Sequence, residues 1–212
     1  MTYFSQLALS RRSIRKYADT EISLEEIEEF IRIATSAPSG CNSQCWRFVA
    51  ITDKNVMDAI SKAVISKMDQ IINSGTDEIS SQYLDSKRKM LTFFSKAPVV
   101  IAVFMTKMEF LDTVMIKALK DKGYDDEGIM KFFAYPDLLS IGAAVQNLLL
   151  AVHEKGYGAC WMNDPAIAGD EIRKILGVTP DSKFISLIPI GVPAYSPREK
   201  KMKDLCEIYT IK

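Results

Sequence analysis

Arg11-Arg12-Ser13-Ile14-Arg15-Lys16-Tyr17 and, after one helix-length gap, Ala37-Pro38-Ser39-Gly40-Cys41-Asn42-Ser43-Gln44-Cys45-Trp46-Arg47 carry most of the information in this chain. The first segment packs three arginines, a lysine and a serine into seven residues. The second is a Pro/Gly turn studded with amide side chains, ending in Trp46 at the mouth of an apolar run. Guanidinium forks match a phosphate or an electron-rich ring edge. Amides match the mixed donor and acceptor edge of a heterocycle. Alone, a basic cluster is usually a solvated face and a Pro-Ser-Gly stretch is usually only a loop. In this order, with a helix between them, they read as two halves of one cofactor cradle.

The helix is the clearest element. Ser23 and Glu26 make a capping box, Ile27, Phe30, Ile31 and Ala34 recur at helical spacing, and Pro38 ends the run, which predicts a helix over 22–36. Trp46 to Thr52 reads as a strand, and Asp53 can cap a helix through about Ile72. Residues 73–87 read as irregular at first, turning helical toward Phe94. Pro98 to Met105 is a continuous apolar run, hence a central buried strand. Residues 107–135 mix charges with aromatics around Gly123 and Gly128 and read as an excursion from the core. Asp137 to Lys155 is the longest apolar helix, stopped by Gly156. It is apolar on more than one face, which points to a subunit interface. Gly158–Met162 reads as a short strand, Asp170–Leu176 as a helix and Phe184–Val192 as a strand. A basic run, Arg198–Lys203, then leads into a strand-like Leu205–Ile211. The order is helix-rich with about five strands.

The 212 residues, 48% hydrophobic, suit one domain over 1–212. The formal net charge is zero, without the basic excess of a nucleic-acid binder, so no nucleic-acid partner is expected. The N-terminus lacks a basic leader, and Leu138–Val152 is interrupted by Gln146 and Asn147. A cytoplasmic protein with no membrane partner is therefore expected. Four cysteines and one histidine, with no Cys-x-x-Cys, give no metal site and predict reduced thiols. No Gly-x-Gly-x-x-Gly or Gly-x-Ser-x-Gly occurs. His153, on a buried-type helix, reads as structural.

Four motifs occur in order: Arg-Arg-Ser-Ile-Arg-Lys-Tyr, Ala-Pro-Ser-Gly-x-Asn-x-Gln-x-Trp-Arg-Phe, Gly156-Tyr157-Gly158-Ala159-Cys160-Trp161-Met162 and Ile188-Pro189-Ile190-Gly191-Val192-Pro193. Together they resemble the nitroreductase family of FMN-dependent oxidoreductases, from about residue 9 to 209 and most weakly in 55–95 and 107–135. The resemblance implies an α+β fold. A mainly antiparallel sheet is wrapped by helices, and the C-terminal strand is exchanged across a homodimer. It implies FMN at the subunit interface, with NAD(P)H as reductant. By this resemblance Arg11, Arg12, Ser13 and Arg15 hold phosphate, ribityl and the N1/O2 edge. Pro38, Ser39, Gly40, Asn42 and Gln44 reach the other subunit's flavin. Trp161, Met162 and Asn163 line the ring. Lys201 and Lys203 match a phosphate-binding pair, and Ser86 and Lys89 match a polar contact loosely. No catalytic side chain is needed, because the flavin carries the hydride.

The implied reaction is ping-pong hydride transfer from NAD(P)H to nitroaromatics, quinones or a similar small acceptor. Reductive dehalogenation, dehydrogenation, flavin destruction and a non-enzymatic flavin-binding role remain alternatives. The excursion at 107–135 would cover the flavin, with Cys41, Phe132, Phe133 and Tyr135 in the substrate pocket. One departure is Cys45, where the family usually has proline and its fixed φ.

Overall fold

In the computed structural model, which describes residues 1–73, 80–110 and 112–212, the strand Val99–Met105 (β2) organises the rest. Successive side chains on a strand point to opposite faces. Val99, Ile101 and Val103 enter one buried cluster, and Val100, Ala102 and Phe104 enter another. A strand apolar on both faces needs helices on both. Leu24–Ala34 (α2) and Pro136–Glu154 (α7) cover the first face through Phe30, Ile141, Val145 and Leu148. Lys54–Asn73 (α3), Ser81–Thr92 (α4) and Gly169–Ile175 (α8) cover the second through Met57, Ile60, Leu91 and Ile172. α2 starts where the capping box predicts, with Ser23 and Glu26 satisfying each other's backbone N–H groups.

β2 pairs antiparallel with Trp46–Ile51 (β1) and with Lys183–Gly191 (β4), and Gly158–Ala159 (β3) pairs antiparallel with β4. The order is β1-β2-β4-β3, so β1 and β3 form opposite edges. The fold is thus the expected α+β arrangement of helices around an antiparallel sheet.

Several expectations are corrected. The described residues hold four strands in the sheet rather than about five. Within Leu205–Ile211, Leu205–Ile208 (α9) is a helical turn rather than strand-like, because Asp204 and Glu207 cap each other reciprocally. Of Gly158–Met162 only the first two residues pair as a strand, and Met162 makes an isolated bridge to Leu187. Tyr3–Ser10 (α1) has no counterpart in the sequence reading, since it buries no residue and so shows no core-facing stripe. The excursion contains two helices, Thr113–Asp121 (α5) and Asp126–Phe132 (α6), each capped by an aspartate, Asp112 and Asp125. Residues 74–79 of the segment read as irregular, and Leu111, lie outside the described residues. α7 is only half covered: Leu138 and Leu139 remain 40% and 66% exposed.

Candidate functional site

The arginine segment follows α1 and extends the sheet beyond β3. Ser13 bridges Ala159 in parallel, and the Ile14 N–H donates to the Ala159 carbonyl at 2.9 Å. Ile14 is buried against Gly158, which has no side chain to keep it away. The Tyr17 hydroxyl ties the far end down, donating to the carbonyls of Ile14 at 2.6 Å and Pro189 at 3.2 Å. Burial pushes this phenol's pKa up, so it remains a donor. The Arg12 guanidinium turns back onto α1, donating to the carbonyls of Leu9 at 2.6 Å and Arg11 at 2.9 Å.

Arg15 is exposed beside Cys160. Burial raises the Cys160 thiol pKa, the largest influence, while Arg15, Ser13 and Arg11 oppose it. Trp161 is 37% exposed, Met162 is buried, and Asn163 is exposed at the head of the 3-10 turn Asp164–Ala168. Arg11, Arg12, Ser13, Arg15, Trp161, Met162 and Asn163 therefore gather along one sheet edge. Among the described residues, no carboxylate forms an ion pair with Arg11, Arg12 or Arg15.

The amide loop is built differently. Cys41, Asn42 and Gln44 take left-handed backbone angles, φ 53°, 52° and 46°. Left-handed backbone at non-glycine residues is strained unless its surroundings hold it. Here the Gln44 N–H donates to Ser39 Oγ at 3.0 Å and the Gly40 N–H to Ser140 Oγ at 3.1 Å. A Cβ at Gly40 would lie 2.7 Å from Met108 Cε, so the close approach needs glycine. Cys45 fills the core below: its carbonyl accepts the Thr106 N–H at 2.9 Å, and burial raises its thiol pKa. The side that remains open presents Pro38, Cys41, Asn42 and Gln44.

The two halves do not meet within one chain. The amide loop leads into β1 and rests on Ser140, near the start of α7. The arginines lie at β3, beside Leu149 and His153 near the end of α7. Three strand spacings separate β1 from β3, roughly 14 Å.

Next to the amide loop is a cavity of about 900 Å³, bounded by α5, α6, the start of α7 and residues 105–110. Its lining includes Met105, Met108, Phe110, Ile129 and Met130, with Lys107, Glu109 and Lys183 among its charged groups. These residues were not singled out in the sequence. Their methionine content was the one available signal, since flexible thioethers suit adaptable walls. Phe132 and Phe133 are not among the lining residues; they pack on each other, Phe133 against Phe110 and Phe132 against Tyr124. Tyr135, at φ 54°, forms the entry to α7. Lys201 and Lys203 are on the exposed C-terminal segment. Ser86 and Lys89 are exposed on α4, whose Lys87 lies 3.9 Å from Asp164. Among the described residues no group of His, Cys, Asp and Glu could hold a metal ion, and no single helix is long and apolar enough to cross a membrane.

The pattern of the Nitroreductase family matches residues 8–192. Human iodotyrosine deiodinase 1 is 28% identical over 205 residues, which cover 95% of this chain and 64% of that protein. The chain therefore spans a little under two thirds of that relative. A BluB-like flavoprotein from Clostridium difficile 630 superposes over 100% of both chains with a TM-score of 0.86 and 29% identity. An iodotyrosine deiodinase bound to FMN and 3-iodo-L-tyrosine shares the fold, with a TM-score of 0.68 over 98% of this chain and 99% of that one at 23% identity. The ordered motifs, the helix-wrapped antiparallel sheet and a match over most of its length agree: this chain belongs to the nitroreductase family.

Proposed function

We propose that the chain is an FMN-dependent oxidoreductase. It acts as a homodimer that takes hydride from NAD(P)H and passes it to a small aromatic acceptor such as a nitroaromatic or quinone. The observation that carries the reading is that Arg11 and Arg15 stand beside Ala159 and Cys160 with no carboxylate partner among the described residues. Unpaired cations on an ordered edge fit a ligand bearing a phosphate and an electron-rich ring. A bound flavin supplies the hydride chemistry. Arg15 would stabilise negative charge at the N1/O2 edge, favouring the reduced form. Arg11, with Lys201 and Lys203, would hold the phosphate, while Arg12 is engaged with the carbonyls of Leu9 and Arg11. Trp161, Met162 and Asn163 would line the ring, and the second subunit's amide loop would close it. The cavity under α5 and α6 would receive the acceptor. The four free thiols suit the cytoplasm.

The protein should purify yellow with one FMN per chain. Arg11→Ala should weaken FMN about 10–100-fold, the worth of a charge-assisted hydrogen bond, while riboflavin affinity barely changes. Equal losses for the two ligands in a fluorescence titration would remove the phosphate assignment.

A second reading, reductive dehalogenation of a phenol, is supported by the relatives bearing the iodotyrosine deiodinase name. The two separate experimentally. Parallel double-reciprocal lines for NAD(P)H with a nitroaromatic or quinone support the first. Halide release from 3-iodo-L-tyrosine under dithionite, without appreciable quinone or nitro reduction, supports the second.

A further inference from the structure

The cavity beside the amide loop has one charged wall residue that is out of water. Asp137, in the first turn of α7, is only 6% exposed, whereas every other charged residue of the lining is exposed. A carboxylate taken out of water needs partners. Its Oδ1 accepts the Leu138 N–H at 2.8 Å, and the helix dipole favours negative charge at this end. Among the described residues Oδ2 accepts no hydrogen bond, and no cation pairs with the carboxylate. The lysines of the wall do not supply one. Lys117 pairs with Asp121 at 2.8 Å and Lys120 with Asp126 at 3.1 Å. Lys107 and Lys183 are exposed, and lysine stems of this kind keep their ammonium groups in water. Nor does the core beneath. Cys45 Sγ lies 3.9 Å from the Asp137 carbonyl oxygen, and burial raises its pKa, so the group packed there is a neutral thiol.

The remaining wall is apolar, with Met105, Met108, Phe110, Ile116, Ile129 and Met130. A volume of about 900 Å³ admits a drug-sized molecule. Thioethers adapt to an aromatic body, and the Phe110 ring face attracts a cation. Among the described residues no group of His, Cys, Asp and Glu could hold a metal ion, so the uncommitted oxygen suits an ammonium group rather than a metal. We propose that the cavity binds an organic cation, an apolar body of aromatic size that bears an ammonium group, and that the ammonium donates to Asp137 Oδ2. An ammonium brings both the hydrogen bond and the countercharge that Oδ2 lacks. A hydroxyl brings only the bond, and a carboxylate meets like charge. The proposal deepens the reading above: it rests on that reading for the ligand's role as electron acceptor and adds the charge that selects it. Asp137 then sets specificity and takes no part in hydride transfer.

Three nitroaromatics of similar shape test this at neutral pH: para-nitrophenethylamine is a cation, para-nitrophenethyl alcohol is neutral and para-nitrophenylacetate is an anion. Isothermal titration calorimetry on the full-length protein should give the amine a Kd about 10–100-fold below that of the alcohol, the worth of a charge-assisted hydrogen bond. The carboxylate should bind most weakly. Asp137→Asn keeps the shape of the side chain and an oxygen for the Leu138 N–H, and it should bring the amine to the affinity of the alcohol. In NAD(P)H turnover the same order should appear in KM. Equal affinity of wild type for amine and alcohol overturns the proposal, and this comparison needs no variant. An amine preference that survives intact in folded Asp137→Asn puts the cation on the exposed rim acids and overturns it too. Reduction of all three without a charge preference overturns the proposal and leaves the oxidoreductase reading standing. Amine-selective binding that depends on Asp137, without reduction of any of the three, upholds the site and overturns the acceptor reading instead.

Discussion

Mixing an inactive Arg15→Ala variant with an inactive Asn42→Ala variant should restore about a quarter of wild-type sites once subunits exchange at random. Both side chains are exposed, and they belong to features at opposite edges of the sheet. A flavin ring seated on Ala159–Trp161 is therefore out of reach of its own chain's Asn42. In a mixed dimer one site carries both lesions and the other carries neither. Half of randomly formed dimers are mixed, which gives the quarter. Leu139 on α7 is 66% exposed, and Leu205, Tyr209 and Ile211 in the C-terminal segment are 73%, 63% and 80% exposed. Exposed apolar side chains of this kind are what the proposed dimer interface would cover. Activity should be read by NAD(P)H oxidation after exchange is demonstrated with differently tagged subunits. Exchange without recovery would place both residues on one chain's flavin, and a folded, active monomer would remove the dimer.

What the sequence made legible follows from how local each signal is. β2 was readable because Val99–Phe104 is apolar at every position, and α2 because its cap and stripe lie within one segment. α1 was not readable because it buries nothing. In the tail, Leu, Ile and Tyr at 205–211 resemble a strand, whereas the Asp204–Glu207 pair sets a helical turn over 205–208. The arginines stood out as a motif. That Arg12 is committed to the Leu9 carbonyl could not be read from its neighbours. The cavity was hidden for the same reason: residues near 105, 116, 129, 137 and 183 meet only after the chain folds.

Gly158→Val should strip the flavin and destabilise the fold together. A Cβ at Gly158 would lie 2.6 Å from Ile14 Cβ and 3.0 Å from its Cγ2. Neither atom is the free end of a flexible chain, and Ile14 is buried with its N–H bonded to Ala159. The strain can be relieved only by pushing the arginine segment off β3. Overpacking of this kind costs about 3 kcal/mol, or a fall in Tm of roughly 6–12 °C for a chain of this size. The segment that moves carries Arg11, Ser13 and Arg15, so FMN per chain should fall at least about tenfold, equivalent to losing one charge-assisted contact. Gly123→Ala is the control. Its φ of +89° makes a side chain unfavourable, but nothing lies within 4 Å of the added atom. It should lose about 1 kcal/mol through strain alone and keep its FMN. A Gly158→Val protein that melts lower yet binds FMN as wild type does would show that the arginine edge is not where the cofactor is held.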